Sequence, residues 1–208
     1  MPKPSFDHVP PGLPILAKGH HHRLEDGACL MEYTSVLAGE AWSDSPPCTH
    51  PVLAAIARAV NDSVDDKSRQ LLASEAARLA CAQSSDPRVG PQLVLLCATR
   101  ASECTTADGR VLRRIERRAA RRLRSLNRRL QRRWPLLPRS RRPRLFDLRA
   151  REMYVPLSLA SIVHAKGSSA LSTLLCDCIR LVDEAQLQES HRDGYSGAIA
   201  VDHSVDRG

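Results

Sequence analysis

Residues 110–134 read RVLRRIERRAARRLRSLNRRLQRRW, and this stretch does most to fix the expected fold. Its apolar residues recur at steps of three and four, at Leu112, Ile115, Ala119, Leu123, Leu126 and Leu130. That spacing is typical of one face of an α-helix. We therefore predict a helix from Arg110 to about Trp134, with one apolar stripe and arginines on its remaining faces.

The rest of the chain shows the same helical periodicity and no competing strand pattern. Alternating runs of β-branched residues and turn pairs such as Asn-Gly are absent from the sequence. We predict helices over residues 24–39, 51–61, a segment ending before Ser84, 91–101, 145–165 with a kink at Pro156, and 168–188. The fourth of these, residues 91–101, is apolar on most faces, so we expect it at the centre. The sequence therefore predicts an all-α fold, either an irregular multi-helix bundle or a short helical solenoid.

Capping residues indicate where several of these helices begin. Asp26 is a candidate N-cap for the first helix and Thr49 for the second, with Pro51 in its first turn. Asp65 or Asp66 can cap the third.

The chain has 208 residues, of which 42% are hydrophobic and 3% are aromatic. This length fits one domain, and the apolar fraction is enough for a core. Proline-rich residues 1–22 are expected to form a flexible arm, and residues 191–208 a tail. The helical domain is expected over residues 23–190, with the Arg-rich segment 110–151 inside it.

Charge is distributed very unevenly along the chain. The net charge is +8, but 18 of the 31 basic residues lie in residues 110–151, all of them arginine. That segment carries +16 and the remainder carries −8. Like charges at this spacing repel along a helix. The segment therefore needs either an external polyanion or the chain's own acidic surface.

Three interpretations of the basic segment stay open at the level of sequence. Arginine is suited to bidentate phosphate contacts, which favours binding to nucleic acid. An anionic lipid surface is the second, although Trp134 is the only large anchor. The third is a solvated or protein-binding face neutralised by the acidic body. For nucleic acid, the expected contacts are Arg113, Arg114, Arg117, Arg118, Arg121, Arg122, Arg124, Arg128, Arg129, Arg132 and Arg133.

A second candidate site lies nearer the N-terminus. Cys29, Cys48 and His50 are of the ligand types that zinc accepts, and Glu32, Asp44 or His22 could complete a set. Cys48 and His50 are separated by one residue, however, and no CxxC pair is present. A cysteine nucleophile with His50 as base is a further alternative. The structural alternative is a tight helix–loop–helix in which the cysteines are buried and no cofactor is bound.

The same region carries a resemblance. The string CLMEYTSVLAGEAWSDSPPCTHPVLAAIARAVND, residues 29–62, resembles the opening of a family of uncharacterised bacterial proteins that begin E-D-G-x-C-L-M-E and continue to C-T-H-P. The resemblance extends over residues 23–104 and implies no activity. It does not include the Arg-rich segment.

The expected function is that of a cytoplasmic, non-catalytic helical binding protein. The longest apolar run has about six residues where a membrane span needs roughly 20, so we expect no transmembrane segment. The first residues lack the apolar core of a signal peptide. Nucleic acid is the expected partner of the basic segment. A metal or thiol enzyme centred on Cys29, Cys48 and His50, and a protein-interaction module, are the alternatives.

Overall fold

Helices make up most of the described fold. The computed structural model describes residues 14–105, 109–131 and 141–201, with backbone alone for residues 141–144 and 192–201. The helices are α1 (Leu30–Leu37), α2 (Pro51–Ser63), α3 (Asp66–Leu71), α4 (Ala76–Cys81), α5 (Val89–Cys104), α6 (Arg110–Gln131), α7 (Arg141–Arg149), α8 (Val155–Lys166) and α9 (Ser169–Val201). Within these residues no strand forms, and one isolated parallel bridge joins Leu16 to Ala28. The predicted all-α fold is confirmed.

Helices that are distant in sequence pack against one another. α2 contacts α8 and α9, and α5 contacts α6, α8 and α9. In a solenoid each helical unit contacts only its neighbours along the chain. The chain therefore adopts the first of the two predicted architectures, an irregular multi-helix bundle.

The core lies between α2, α5, α8 and α9. Leu93 and Cys97 of α5 are fully buried, and Leu175 and Ile179 of α9 are buried in the same core. Each fully buried aliphatic side chain contributes about 1.5–3 kcal/mol to stability. The prediction that the helix around residues 91–101 lies centrally is confirmed.

The predicted flexible arm is wrong for residues 14–22, which pack on the domain. Leu16 is buried, and its backbone exchanges hydrogen bonds with the Gln70 side chain at 3.1 and 2.7 Å. The Gly19 N–H donates to Asp62 Oδ1 at 2.8 Å. These contacts connect the segment to α3 and α2, which the proline content of the sequence does not indicate. Residues 1–13 lie outside the described part of the chain.

The first two caps differ from those predicted. α1 begins at Leu30 with Cys29 as N-cap, whereas Asp26 lies in a separate 3-10 turn, Leu24–Asp26. His50 caps α2 by accepting from the Val52 N–H at 3.3 Å. Thr49 instead donates its hydroxyl to the buried Leu79 carbonyl at 2.7 Å, a tertiary bond that overrides its local capping preference. Both predicted caps are therefore wrong.

The third predicted helix is divided into two. Asp65 caps α3 by accepting from the Ser68 N–H at 3.0 Å, as predicted. A 3-10 turn, Leu72–Glu75, then separates α3 from α4. The turn allows Leu72 and Leu79 to reach the same core.

Pro156 produces the predicted irregularity. α7 and α8 are joined by a π turn, Ala150–Tyr154, in which the Val155 N–H reaches the Ala150 carbonyl. Proline has no N–H for the regular helical bond, so the wider turn accommodates the missing donor. We call Ala150–Tyr154 the π turn below.

The last helix is longer than its predicted limit of Gln188. α9 continues to Val201 through Gly194 and Gly197. Glycine inside a helix costs only about 1 kcal/mol, which is too little to end one. The predicted tail is therefore helical over residues 191–201, and residues 202–208 lie outside the described part. No helix in the described ranges combines the length and apolarity needed to cross a membrane.

Candidate functional site

Helix α6 is attached to the bundle by its apolar stripe. Leu112, Ile115, Ala119 and Leu126 are buried, and α6 packs mainly against α5. Leu123 of the predicted stripe is half-buried, and Leu130 is exposed. The spacing 3, 4, 4, 3 therefore identifies correctly the face by which the basic helix is held.

The opposite face of α6 carries a continuous row of arginines. At about 100° per residue, seven arginines lie on the side of α6 away from the apolar stripe. All seven are exposed, and no acidic residue interrupts them. We call this row the arginine stripe: Arg110, Arg113, Arg114, Arg117, Arg121, Arg124 and Arg128. From end to end it is about 27 Å long at a rise of about 1.5 Å per residue.

Carboxylates of the acidic body do not neutralise most of this stripe. Five of its members make no ion pair with any carboxylate in the described part of the chain: Arg114, Arg117, Arg121, Arg124 and Arg128. The side chains of Arg117 and Arg121 instead donate back to carbonyls of their own helix, at 3.2 and 3.3 Å.

Some acidic residues of the body are occupied elsewhere. Asp183 pairs with Arg78 at 2.8 Å, and Asp177 pairs with both Arg100 at 3.2 Å and Arg180 at 3.1 Å. These arginines lie outside the basic segment, so the charge of the arginine stripe is left largely for solvent or an external partner.

The remaining predicted contacts lie beside the stripe. Arg118 and Arg122 are half-buried, and Arg129 is exposed. Arg132 and Arg133 lie outside the described residues, as does the predicted anchor Trp134.

The structure does not bring Cys29, Cys48 and His50 together as a metal site. Among the described residues, no group of three or more His, Cys, Asp or Glu side chains is placed to hold a metal ion. Cys29 caps α1, His50 caps α2, and Cys48 Sγ lies 3.8 Å from the Thr49 hydroxyl. Each residue has a local structural partner instead, which corrects the expectation that the three converge.

The same residues are poorly suited to thiol chemistry with His50 as base. Burial raises the pKa of the Cys29 thiol to about 12, and burial also raises the pKa of Cys48. Burial lowers the pKa of His50 to about 4. A reactive cysteine needs a lowered thiol pKa and a paired base. This environment favours the neutral thiol in both cysteines.

A buried carboxylate, Glu32, organises the N-terminal side of the bundle. It is fully buried and accepts from the His21 N–H at 2.8 Å, His21 Nδ1 at 3.0 Å and the Cys29 N–H at 2.7 Å. The His20 ring lies beside it, with Nδ1 2.6 Å from Glu32 Oε1. Burial by itself would raise the pKa of Glu32, but the donated bonds from His21 and Cys29 hold that pKa below its usual value. Glu32 thus fastens the segment before α1 to the first turn of α1.

Sequence reasoning misses the two histidines that contact Glu32. The sequence offered one signal for Glu32: Cys29 and Glu32 are three residues apart, the spacing of a capping box, and they form one here. Trp42 adds to the same assembly by donating its indole N–H to the His21 carbonyl at 2.8 Å. A small cavity of about 170 Å³ adjoins the assembly and is lined by Gly19, His20, Cys29, Asp44, Arg58 and Asp62.

Comparison of the chain with family models, curated proteins and solved structures finds no match in any of the three.

Proposed function

We propose that this protein is a non-catalytic helical protein that binds nucleic acid through the arginine stripe of α6. One observation carries the proposal: seven exposed arginines lie in a row on one side of a helix whose other side is buried in the bundle. Five of them have no carboxylate partner in the described chain. These five guanidinium groups, exposed along one side of a helix, favour a polyanion.

The dimensions of the stripe suit a phosphate backbone. A duplex presents about one negative charge per 1.7 Å, so a row about 27 Å long can meet several phosphates at once. Guanidinium groups bind phosphate oxygens with two parallel hydrogen bonds. Because the stripe has no acidic or aromatic side chain, it offers phosphate contacts and no stacking on bases. We therefore propose binding without sequence preference.

Fluorescence anisotropy with a labelled duplex, measured between about 50 and 200 mM salt, tests the proposal. Each phosphate neutralised contributes about −0.9 to the slope of log K against log salt. The double variant Arg117→Gln/Arg121→Gln should reduce the slope by about two units. The matched control is Arg23→Gln/Arg180→Gln, which removes the same charge from exposed positions outside the stripe.

Two outcomes would contradict the proposal. The first is a wild-type protein that binds no duplex at low salt, or binds it with a slope near zero. The second is a control variant that lowers the slope as much as the stripe variant does. In that case net charge alone, and not the stripe, would account for binding.

A cytoplasmic location belongs to the same proposal. The chain has seven cysteines, an odd number, and three of them are buried as small apolar residues: Cys29, Cys97 and Cys178. Free thiols in this role are typical of proteins in a reducing compartment.

A further inference from the structure

A second, more enclosed group of arginines lies beside the stripe, where α6 passes the π turn. Its members are Arg118 and Arg122 of α6, Asp147 of α7, and Arg151 and Tyr154 of the π turn. We call this group the arginine cleft. The three arginines are half-buried, unlike the exposed members of the arginine stripe.

One polar atom of the cleft has no partner. Arg151 Nε is buried and makes no hydrogen bond within the described chain. Arg118 Nη1 donates to the Tyr154 hydroxyl at 3.3 Å. The same guanidinium has no carboxylate partner in the described part of the chain. A buried donor without an acceptor costs about 1–3 kcal/mol, and more when it is charged. The cleft therefore contains donors that an anion would satisfy.

The charges of the cleft do not balance. Asp147 is its only carboxylate, and it forms no ion pair within 4.0 Å of Arg118, Arg122 or Arg151. Asp147 Oδ1 lies instead 3.2 Å from the position that a Cβ on Gly90 would occupy, in the first turn of α5. Asp147 therefore packs against the backbone of α5 and leaves the three arginines without a carboxylate in contact.

The electrostatic environment agrees with this geometry. Burial, together with the nearby charge of Arg129, lowers the pKa of Arg122, and Asp147 only partly offsets it. Burial also raises the pKa of Asp147 in spite of Arg122 and Arg151. Both groups are thus partly removed from water without adequate compensation.

The π turn supplies the local reason for the cleft. Turns of this type inside helices occur frequently at functional sites. Here the turn carries both Arg151 and Tyr154, and the Tyr154 ring lies 5.9 Å from that of Phe146, which packs beside it. The hydroxyl that Arg118 contacts therefore belongs to a buried, packed side chain.

We propose that the arginine cleft binds one phosphate group. Its oxygens would accept from Arg118, Arg122 and the unpartnered Nε of Arg151, with the Tyr154 hydroxyl as a further donor. Planar guanidinium groups are well matched to phosphate oxygens. The phosphate is either that of a free phosphate compound or one phosphate of a nucleic-acid backbone. The cleft is a separate site from the arginine stripe.

Thermal unfolding in sodium phosphate, compared with sodium chloride at equal ionic strength, tests the proposal with inorganic phosphate as probe. For a chain of this size, Tm should rise in a saturable way, by about 3–6 °C at ten times the Kd. Arg122→Gln should lose this rise. In chloride the same variant should melt at or above the wild-type Tm, because an uncompensated charge has been removed. A residue with only a structural role would lower Tm in both salts.

Two further variants complete the comparison. Arg117→Gln, on the exposed stripe, should keep the full phosphate-dependent rise. Arg151→Lys keeps the charge and the fold but lacks the Nε donor, and should reduce the rise. The proposal fails if the wild type shows no saturable rise, or if Arg122→Gln and Arg117→Gln keep it equally. These results do not affect the proposal that the arginine stripe binds a duplex, because that proposal is tested by the salt dependence of duplex binding.

Competition shows where the phosphate comes from. The measurement is displacement of the labelled duplex by inorganic phosphate, compared with chloride at equal ionic strength. Excess displacement that disappears in Arg122→Gln indicates that a backbone phosphate of the nucleic acid occupies the cleft. A phosphate-dependent Tm rise without excess displacement indicates a site for a free phosphate compound.

Discussion

Glu32 is the side chain whose replacement should most disturb the N-terminal side of the bundle. Its two carboxylate oxygens accept three hydrogen bonds, from the backbone N–H groups of His21 and Cys29 and from the His21 ring, and the His20 ring lies against Oε1. In Glu32→Gln, one oxygen becomes an NH₂ group that faces a backbone N–H donor, and the remaining bonds lose their charge. Hydrogen bonds to a charged group contribute about 1.5–3 kcal/mol each, so the variant should lose about 3–5 kcal/mol of unfolding free energy.

The loss should depend on pH with a defined sign. The pKa of Glu32 is lower in the folded chain than its usual value, so the folded state holds the charged form. The stabilisation is therefore complete above the unfolded pKa, near about 4.3, and is lost as pH falls through the lower folded value. The difference between wild type and Glu32→Gln should be constant above about pH 5.5 and should shrink below about pH 4.

Urea denaturation followed by circular dichroism at pH 7 and pH 3 measures this difference. Glu184→Gln is the matched control, because Glu184 is an exposed carboxylate on α9. The control should stay within about 0.5 kcal/mol of wild type. A loss below about 1 kcal/mol in Glu32→Gln at pH 7, or a difference that grows in acid, would refute the argument from the buried carboxylate.

Three further predictions follow from other parts of the bundle. In urea denaturation, Gly27→Ala should lower the stability of the protein more than Gly39→Ala does. Both glycines have a positive φ, so both substitutions strain the backbone. A Cβ at Gly27 would also lie 2.8 Å from the Ala17 Cβ, whereas a Cβ at Gly39 would face open space. Equal losses would contradict the steric reason. Partial burial lowers the pKa of His50 to about 4, so stability should fall as pH drops from about 6.5 to 4. His50→Asn, which can still cap α2, should flatten that fall. In a thiol titration of the folded protein at pH 8, exposed Cys81 should react rapidly and Cys29 only on unfolding; fast labelling of both would show that Cys29 is accessible.

Local sequence determined the helices more reliably than their ends. The 3, 4, 4, 3 spacing of Leu112, Ile115 and the following apolar residues identifies both α6 and its buried face, because a helix has one period and one side to bury. Caps depend on competing partners. Thr49 is a good N-cap by composition, yet Leu79, thirty residues later, takes its hydroxyl.

Of the candidate sites, one could be predicted from local sequence and the other could not. The arginine stripe follows from the sequence because the arginines opposite an apolar stripe must face solvent. The Cys29, Cys48 and His50 hypothesis assumed that residues close in sequence would converge, and each is used locally instead. No sequence pattern predicts that His20 and His21 contact Glu32. Both histidines lie in an irregular segment whose path is set by tertiary hydrogen bonds.

By itself, the sequence determined an all-α chain with a basic helix set in an acidic body, since periodicity and charge are properties of neighbouring residues. Only the tertiary structure decided which arginines lack a carboxylate partner in the described part of the chain. Asp177 and Asp183 pair with arginines outside the basic segment, and Asp147 turns toward the first turn of α5. The physical reason is that a carboxylate pairs with the cation that packing brings within a few ångströms, and no local pattern records which cation that is.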